Sequence, residues 1–240
     1  MMAMDQPLLS VDGLHSYYGR AHILQDVSLS AAAGEVVVLL GRNGAGKTTT
    51  LKCLMGLVRP AQGSISFSGT DITGAPPYVV ARAGLGYVPE DRRIFTDLTV
   101  SENLEVGRQP ARPGISEWTP DRLFTLFPNL AEMRHRPGGQ MSGGEQQMLT
   151  IARSLMGNPS AILLDEPSEG LAPVIVEQMV KTILDLKAVG LTVVLSEQNL
   201  HFATLVSDRA YIIEKGRIRY TGSMSELADD AEIRNAYLTV

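Results

Sequence analysis

Gly41-Arg42-Asn43-Gly44-Ala45-Gly46-Lys47-Thr48-Thr49 matches G-x-x-x-x-G-K-[ST], a phosphate-binding pattern. The short apolar run Glu35-Val36-Val37-Val38-Leu39-Leu40 before it reads as a buried strand. The stretch Thr48 to Met55 after it has no Gly or Pro and reads as a helix. A strand, a glycine loop and a helix start aim backbone N–H groups and the positive end of a helix dipole at one point. The glycines let the chain wrap a polyphosphate without Cβ clashes. Lys47 adds a flexible charge for the outer phosphates, and the Thr48 hydroxyl is suited to Mg²⁺. A nucleoside triphosphate and Mg²⁺ are therefore the expected ligands of residues 41–49.

A second cluster lies downstream. Ala161-Ile162-Leu163-Leu164-Asp165-Glu166 is an apolar strand ending in two carboxylates. In an open α/β sheet ligands collect at the carboxyl ends of the strands, so Asp165 is placed to hold Mg²⁺. Glu166, one residue on, is suited to polarise the water that attacks the terminal phosphate. Between the two clusters, Ser142-Gly143-Gly144-Glu145 opens a helix. Ser142 and Glu145 make an S-x-x-E capping box. Two glycines in a first turn cost helix stability, but they leave N–H groups bare for an anion. There is no second phosphate loop, so this second anion site points to a nucleotide held mainly by another subunit.

The rest of the chain sets bounds. Its 240 residues suit one large α/β domain, or a core with a smaller lobe. Aromatic content is 5% and net charge −5, which argues against stacking platforms or a general attraction for nucleic acid. Cys53 is the single cysteine, so no intrachain disulfide forms, and it reads as a small core residue. No apolar run approaches the ~18 residues that span a bilayer, and Met1–Pro7 lacks the basic and apolar regions of a signal peptide. A soluble intracellular chain that reaches a membrane through a partner is the expectation.

Leu8–Val11, Tyr17–Gly19 and Val27–Ser30 read as three strands of an antiparallel lobe, with Gly63–Gly69 as another edge strand. Tyr18, before a turn glycine, is a candidate to stack on adenine, with packing inside the lobe as the even alternative. Residues 91 to about 140 are broken by Pro110, Pro113, Pro120, Pro128 and Pro137 and read as helical pieces inserted into the core. The expected division is a β lobe and core over about 1–90 and 157–240, with a helical subdomain over about 91–156. The four histidines show no metal-ligand spacing. Arg92-Arg93 reads as a solvated or partner-facing pair rather than a phosphate site.

With these motifs in this order, the sequence resembles the ATP-binding subunit of ABC transporters over essentially its whole length. The resemblance implies a RecA-like α/β core with an antiparallel β lobe and a helical lobe. It also implies a head-to-tail dimer in which each ATP lies between one subunit's phosphate loop and the other's Ser-Gly-Gly segment. Three positions depart from the family's usual pattern: Glu90 where the core-to-helix loop carries Gln, Ala172 where an interface aspartate stands, and Gln198 where a switch histidine stands. Glu90 thereby joins Thr48 and Asp165 as an expected Mg²⁺ ligand, and Gln198 joins the expected nucleotide contacts. Together with the tail Arg234–Leu238, these departures resemble the second ATPase of bacterial branched-chain amino acid importers. That branch implies a second ATPase subunit, two integral membrane permeases, a periplasmic binding protein, and a place on the cytoplasmic face of the inner membrane. A urea or amide importer, and a soluble ABC ATPase without a transport role, are the alternatives.

Overall fold

The computed structural model describes residues 6–237; Met1–Asp5 and Leu238, both drawn on above, lie outside them. In chain order the strands are β1 (Leu9–Tyr18), β2 (Ala21–Ala31), β3 (Val36–Leu40), β4 (Gln62–Phe67), β5 (Thr70–Asp71), β6 (Leu85–Val88), β7 (Ala161–Asp165), β8 (Thr192–Glu197), β9 (Arg209–Glu214) and β10 (Arg217–Ser223). The helices are α1 (Lys47–Leu54), α2 (Pro77–Ala83), α3 (Val100–Gly107), α4 (Pro120–Leu126), α5 (Pro128–Glu132), α6 (Gly143–Leu155), α7 (Pro173–Ala188), α8 (Leu200–Val206), α9 (Met224–Asp229) and α10 (Ala231–Tyr237).

Two sheets organise the chain. The central sheet has the order β10-β9-β3-β8-β7-β6, with β9, β3, β8, β7 and β6 parallel and β10 added as an antiparallel edge. Strand β3 is buried along its whole length, as a sheet covered on both faces requires. Its side chains alternate in direction and so divide between two cores. Val36, Val38 and Leu40 join the apolar cluster built with α3, α6, α7 and α8. Val37 and Leu39 face the opposite cluster, which includes Leu51 and Leu54 of α1 and the inner face of the second sheet. Each fully buried leucine there contributes on the order of 1.5–3 kcal/mol.

The second sheet, β2-β1-β4-β5, is antiparallel. Here the structure corrects the sequence reading. Leu9–Val11 and Tyr17-Tyr18 belong to one long strand, not two. Gly13, in the left-handed region at φ 57, carries a bulge, and the register with β2 shifts between Val11 and Leu14. A bulge absorbs an extra residue and bends a strand without ending it. Residues 62–67 likewise are not an edge, because β5 pairs with Ser66 and Phe67.

The prolines of the helical segment start helices more than they interrupt them. Pro120 and Pro128 occupy the first turns of α4 and α5, where a missing N–H costs nothing. This segment is tied to the core through Asn158, buried and left-handed at φ 51. Its amide Oδ1 accepts from the Trp118 N–H at 2.7 Å, its Nδ2 donates to the Gln109 carbonyl at 2.8 Å, and its carbonyl accepts from Arg112 Nε at 2.8 Å. No described helix is long and apolar enough to cross a membrane.

Candidate functional site

The loop between β3 and α1 lies over the carboxyl ends of β3, β8 and β7. Gly41 permits this approach, since a methyl there would meet the Ile213 carbonyl oxygen at 2.4 Å. Gly46, at φ 115, caps α1 without any side-chain acceptor. Helices α3, α6 and α8 by contrast are capped by Thr99, Ser142 and Asn199. The first-turn N–H groups of α1 thus have no side-chain acceptor, which suits an anionic ligand. Arg42, Asn43 and Gly44 line the exposed rim of the loop, while Ala45 and Thr49 are buried beneath it.

Lys47 is buried. Its ammonium donates to the carbonyls of Gly41 at 2.8 Å and Arg42 at 3.2 Å, and lies 3.0 Å from Oε1 of Glu166. Glu166 holds a left-handed backbone at φ 48, and its N–H donates to Ser196 O and Oγ, each at 3.1 Å. Such a backbone costs of order 1–3 kcal/mol and persists where the surroundings over-determine it. Gln198 Nε2 donates to Oε2 of Glu166 at 3.3 Å. Asp165 accepts from the hydroxyl of Thr48 at 2.9 Å, from Ser196 Oγ at 2.7 Å and from the Tyr87 hydroxyl at 3.1 Å. Burial, reinforced by the Asp165 charge, pushes the Tyr87 phenol up, so it remains a donor.

The residues present fit Mg²⁺. It keeps waters and takes one or two protein oxygens beside phosphates, so a closed cage is not needed. Thr48 and Asp165 are hard oxygen donors in contact, and no cluster of three or more His, Cys, Asp or Glu among the described residues competes with them. Glu90 is exposed at the margin. Its charge acts on Glu169, so it faces the same group of carboxylates.

Three residues that the sequence reading passed over complete the arrangement. Ser196 and Tyr87 orient Asp165, and they sit opposite or beside it only because β7 is flanked by β8 and β6. Glu197, buried, accepts from the N–H groups of Ser168 at 3.0 Å and Asn199 at 3.2 Å, tying the segment after Glu166 to the segment around Gln198. Burial pushes its carboxyl up. Nothing in the local sequence marks these roles.

Ser142 caps α6 in a reciprocal box: its oxygen accepts from the Glu145 N–H at 3.3 Å, and its own N–H donates to Glu145 Oε2 at 2.7 Å. The two glycines have packing causes as well as bare N–H groups. A methyl on Gly144 would come within 2.8 Å of Ile175 Cγ2, and one on Gly143 within 2.8 Å of Arg92 Nη1. Among the described residues, no hydrogen bond or ion pair joins Ser142, Gly143 or Gly144 to Lys47 or Glu166. Tyr17 stacks on His22, with centroids 4.2 Å apart, whereas Tyr18 is 48% exposed and stacks on no other ring among the described residues. His15 and His22 hydrogen-bond to each other at 3.1 Å, and His201 is exposed. Ala172 stands at the N-cap of α7 and offers no side-chain acceptor.

The ABC transporter family model matches residues 24–169, from β2 through the carboxylates of β7. The chain belongs to the ABC transporter ATPase family. This ABC ATPase is 44% identical over 231 residues to BraG of Pseudomonas aeruginosa, a high-affinity branched-chain amino acid transport ATP-binding protein, covering 96% of this chain and 99% of that one. It is 39% identical over 235 residues to LptB of Haemophilus influenzae, a lipopolysaccharide export ATP-binding protein, covering 96% and 97%. An ATP-binding cassette of an ABC transporter solved in its ADP conformation superimposes with a TM-score of 0.81 at 26% identity, over 96% of this chain and 98% of the other. The ABC ATPase is thus an ATP-hydrolysing transport motor on a P-loop α/β fold with an antiparallel lobe.

Proposed function

We propose that this chain is the ATPase of a bacterial importer for branched-chain or other hydrophobic amino acids, working on the cytoplasmic face of the inner membrane. The end-to-end identity of 44% with BraG carries the reading of the cargo. The similarity to LptB, at 39%, is the reason to test an export role beside it.

In this reading the phosphates of ATP lie on the amides of residues 41–49, with Lys47 turned to the outer phosphates and the exposed ring of Tyr18 against adenine. Thr48, Asp165 and Glu90 would hold Mg²⁺, which would supply charge neutralisation for the transferred phosphate. Glu166 orients the attacking water and accepts its proton. Gln198, already donating to Glu166 at 3.3 Å, supplies an amide donor for the γ-phosphate. Ser142, Gly143 and Gly144 serve the ATP of the opposing subunit in a head-to-tail dimer. The partner there is a second ATPase or a second copy.

A cleft of about 620 Å³ between α2, β6 and α3 offers a face for a membrane partner. Tyr78 and Phe95 border it, 62% and 47% exposed. Exposed aromatics rimmed by polar groups mark association surfaces. Two permeases, with a periplasmic binding protein beyond them, are the partners this reading requires; nucleic acid is not among them.

The test is assembly and transport together. Specific ATPase activity of the isolated chain should rise more than linearly with concentration, and again when the second ATPase and permeases are added. Proteoliposomes of the complex should take up leucine or a related amino acid only with ATP on this chain's side. Full activity as a monomer rules out the shared site, and ATP-driven efflux rules out import.

A further inference from the structure

The segment Pro89–Arg93 joins the core to the helical insert, and its two arginines are used differently. Arg93 donates to Asp91 at 2.9 and 3.1 Å and is exposed. Arg92 is partly buried, and among the described residues its guanidinium has no carboxylate within ion-pair distance. Glu145, in the first turn of α6, is occupied by the cap on Ser142.

The position of Arg92 is set by the helix it lies against. Its backbone is left-handed at φ 62, and its N–H closes a turn onto the Pro89 carbonyl at 3.1 Å. Its carbonyl accepts from Thr150 Oγ1 at 3.1 Å and Arg153 Nη2 at 3.4 Å, both on α6. Its guanidinium rests on the first residue of that same helix. A methyl built on Gly143 would lie 2.8 Å from Nη1 and 3.4 Å from both Cζ and Nη2. Glycine at 143 thus makes room for a cation, which the bare-amide argument for this glycine does not require.

We propose that the Arg92 guanidinium is a phosphate-binding group of the shared site, meeting the terminal phosphate of the ATP held in the opposing subunit's phosphate loop beside Ser142, Gly143 and Gly144. The inference rests on the shared-site reading above and adds a residue to it. A helix N-terminus carries roughly half a charge, and its effect fades within a turn. A guanidinium adds a whole charge in a planar fork that matches phosphate oxygens two at a time. The backbone bonds of Arg92 fix where its side chain starts, and the packing on Gly143 places its guanidinium at the start of α6. The alternative occupant is a carboxylate of the opposing subunit, which would attract Arg92 whatever nucleotide is bound.

The test uses the full chain carrying Glu166→Gln to slow hydrolysis, with association to itself and to the second ATPase of its complex measured by sedimentation in ATP and in ADP. Arg92→Ala should weaken ATP-driven association about 10- to 100-fold, the range for a hydrogen bond to a charged group. ADP affinity for the chain's own phosphate loop should stay within about twofold, because that loop is a separate surface. Arg92→Lys should recover part of the loss. Gly143→Ala should mimic Arg92→Ala by displacing the guanidinium, and the double variant should be no worse than either single one. Arg92→Gln, which keeps the stem and the turn, gives the same readout should Arg92→Ala fail to fold. Ser142→Arg separates the two ideas by obstructing the α6 site directly. If Ser142→Arg abolishes association while Arg92→Ala does not change it, the shared site stands and the Arg92 proposal is overturned. If Ser142→Arg has no effect, the shared-site reading fails and the proposal with it. A loss in Arg92→Ala that is equal in ATP and ADP assigns Arg92 to a protein ion pair and also overturns it.

Discussion

The Lys47 ammonium and the Glu166 carboxylate form a buried ion pair, Nζ to Oε1 at 3.0 Å, linking the phosphate loop to the residue after β7. Their side chains are 3% and 4% exposed, so neither charge is solvated. The phosphates of ATP would compete with Glu166 for Lys47. Once Lys47 turns to phosphate, Glu166 keeps the Gln198 amide and the Glu169 carboxyl as side-chain partners. In the proposed function, phosphate binding and the freeing of Glu166 would be coupled through this one contact.

Lys47→Ala and Glu166→Gln should therefore differ in stability as well as in kinetics. Lys47→Ala leaves a buried carboxylate without its cation and should cost about 3 kcal/mol, toward the low end for a broken buried pair. It should also weaken ATP binding and turnover together. Glu166→Gln keeps an acceptor for Lys47, so it should cost much less, retain ATP binding and lower turnover ~10²-fold or more. Urea unfolding and steady-state turnover on the three proteins decide this. Normal turnover in Glu166→Gln removes Glu166 from the base role.

Ser196→Ala and Tyr87→Phe each remove one hydrogen bond to Asp165 without touching the phosphate loop. Partners of a metal ligand fix its orientation, and losing one commonly costs ~10–100-fold in metal affinity. The Mg²⁺ concentration giving half-maximal turnover should rise by that order, while ATP binding measured in EDTA stays unchanged. An unchanged Mg²⁺ titration would show that Asp165 is not a ligand.

Gln198 can donate a hydrogen bond but cannot titrate near neutrality. Gln198→Ala should slow hydrolysis by removing that donor. Gln198→His should remain active and acquire a pH dependence between about 6 and 7.5, around the ordinary histidine value of ~6.5. The partner's site has to be silenced by mutation of its own catalytic carboxylate. Turnover that is indifferent to Gln198→Ala would leave residue 198 as a surface amide at the start of α8.

Glu169 gives the fold a pH dependence of its own. A hydrogen bond to Glu166, partial burial and the charges of Glu166, Glu90 and Glu197 push its carboxyl up from 4.5 to about 7. Between those two values the folded chain keeps a proton that the unfolded chain has released. Stability therefore falls as pH rises through that window. Glu169→Gln has no such proton, so its unfolding free energy should fall less between pH 5 and 7.5 than that of the parent. Solvent exposure of Glu169 makes the difference modest. Identical slopes for the two proteins would show that Glu169 is not perturbed.

Gly41–Thr49, Ser142–Glu145 and Ile162–Glu166 were legible in the sequence because each needs particular residue types at fixed spacing. A glycine must avoid a Cβ clash, a serine must reach an N–H three residues on, and an apolar strand must stop where carboxylates begin. Those demands are local, so the chain alone determined the phosphate loop, the α6 cap, the carboxylate-tipped strand and the family. Tertiary structure decided what depends on neighbours distant in the chain. Parallel pairing of β7 with β8 sets Ser196 beside Asp165, and the flanking β6 brings in Tyr87. The bulge at Gly13 joined two apparent strands into one, since a left-handed glycine can bend a ladder or end it and only the partner strand distinguishes the two. Arg92 read as a solvated or partner-facing residue because sequence carries no distance between position 92 and position 143. The fold lays that guanidinium on Gly143, and the contact exists only once α6 has packed against the turn that carries it.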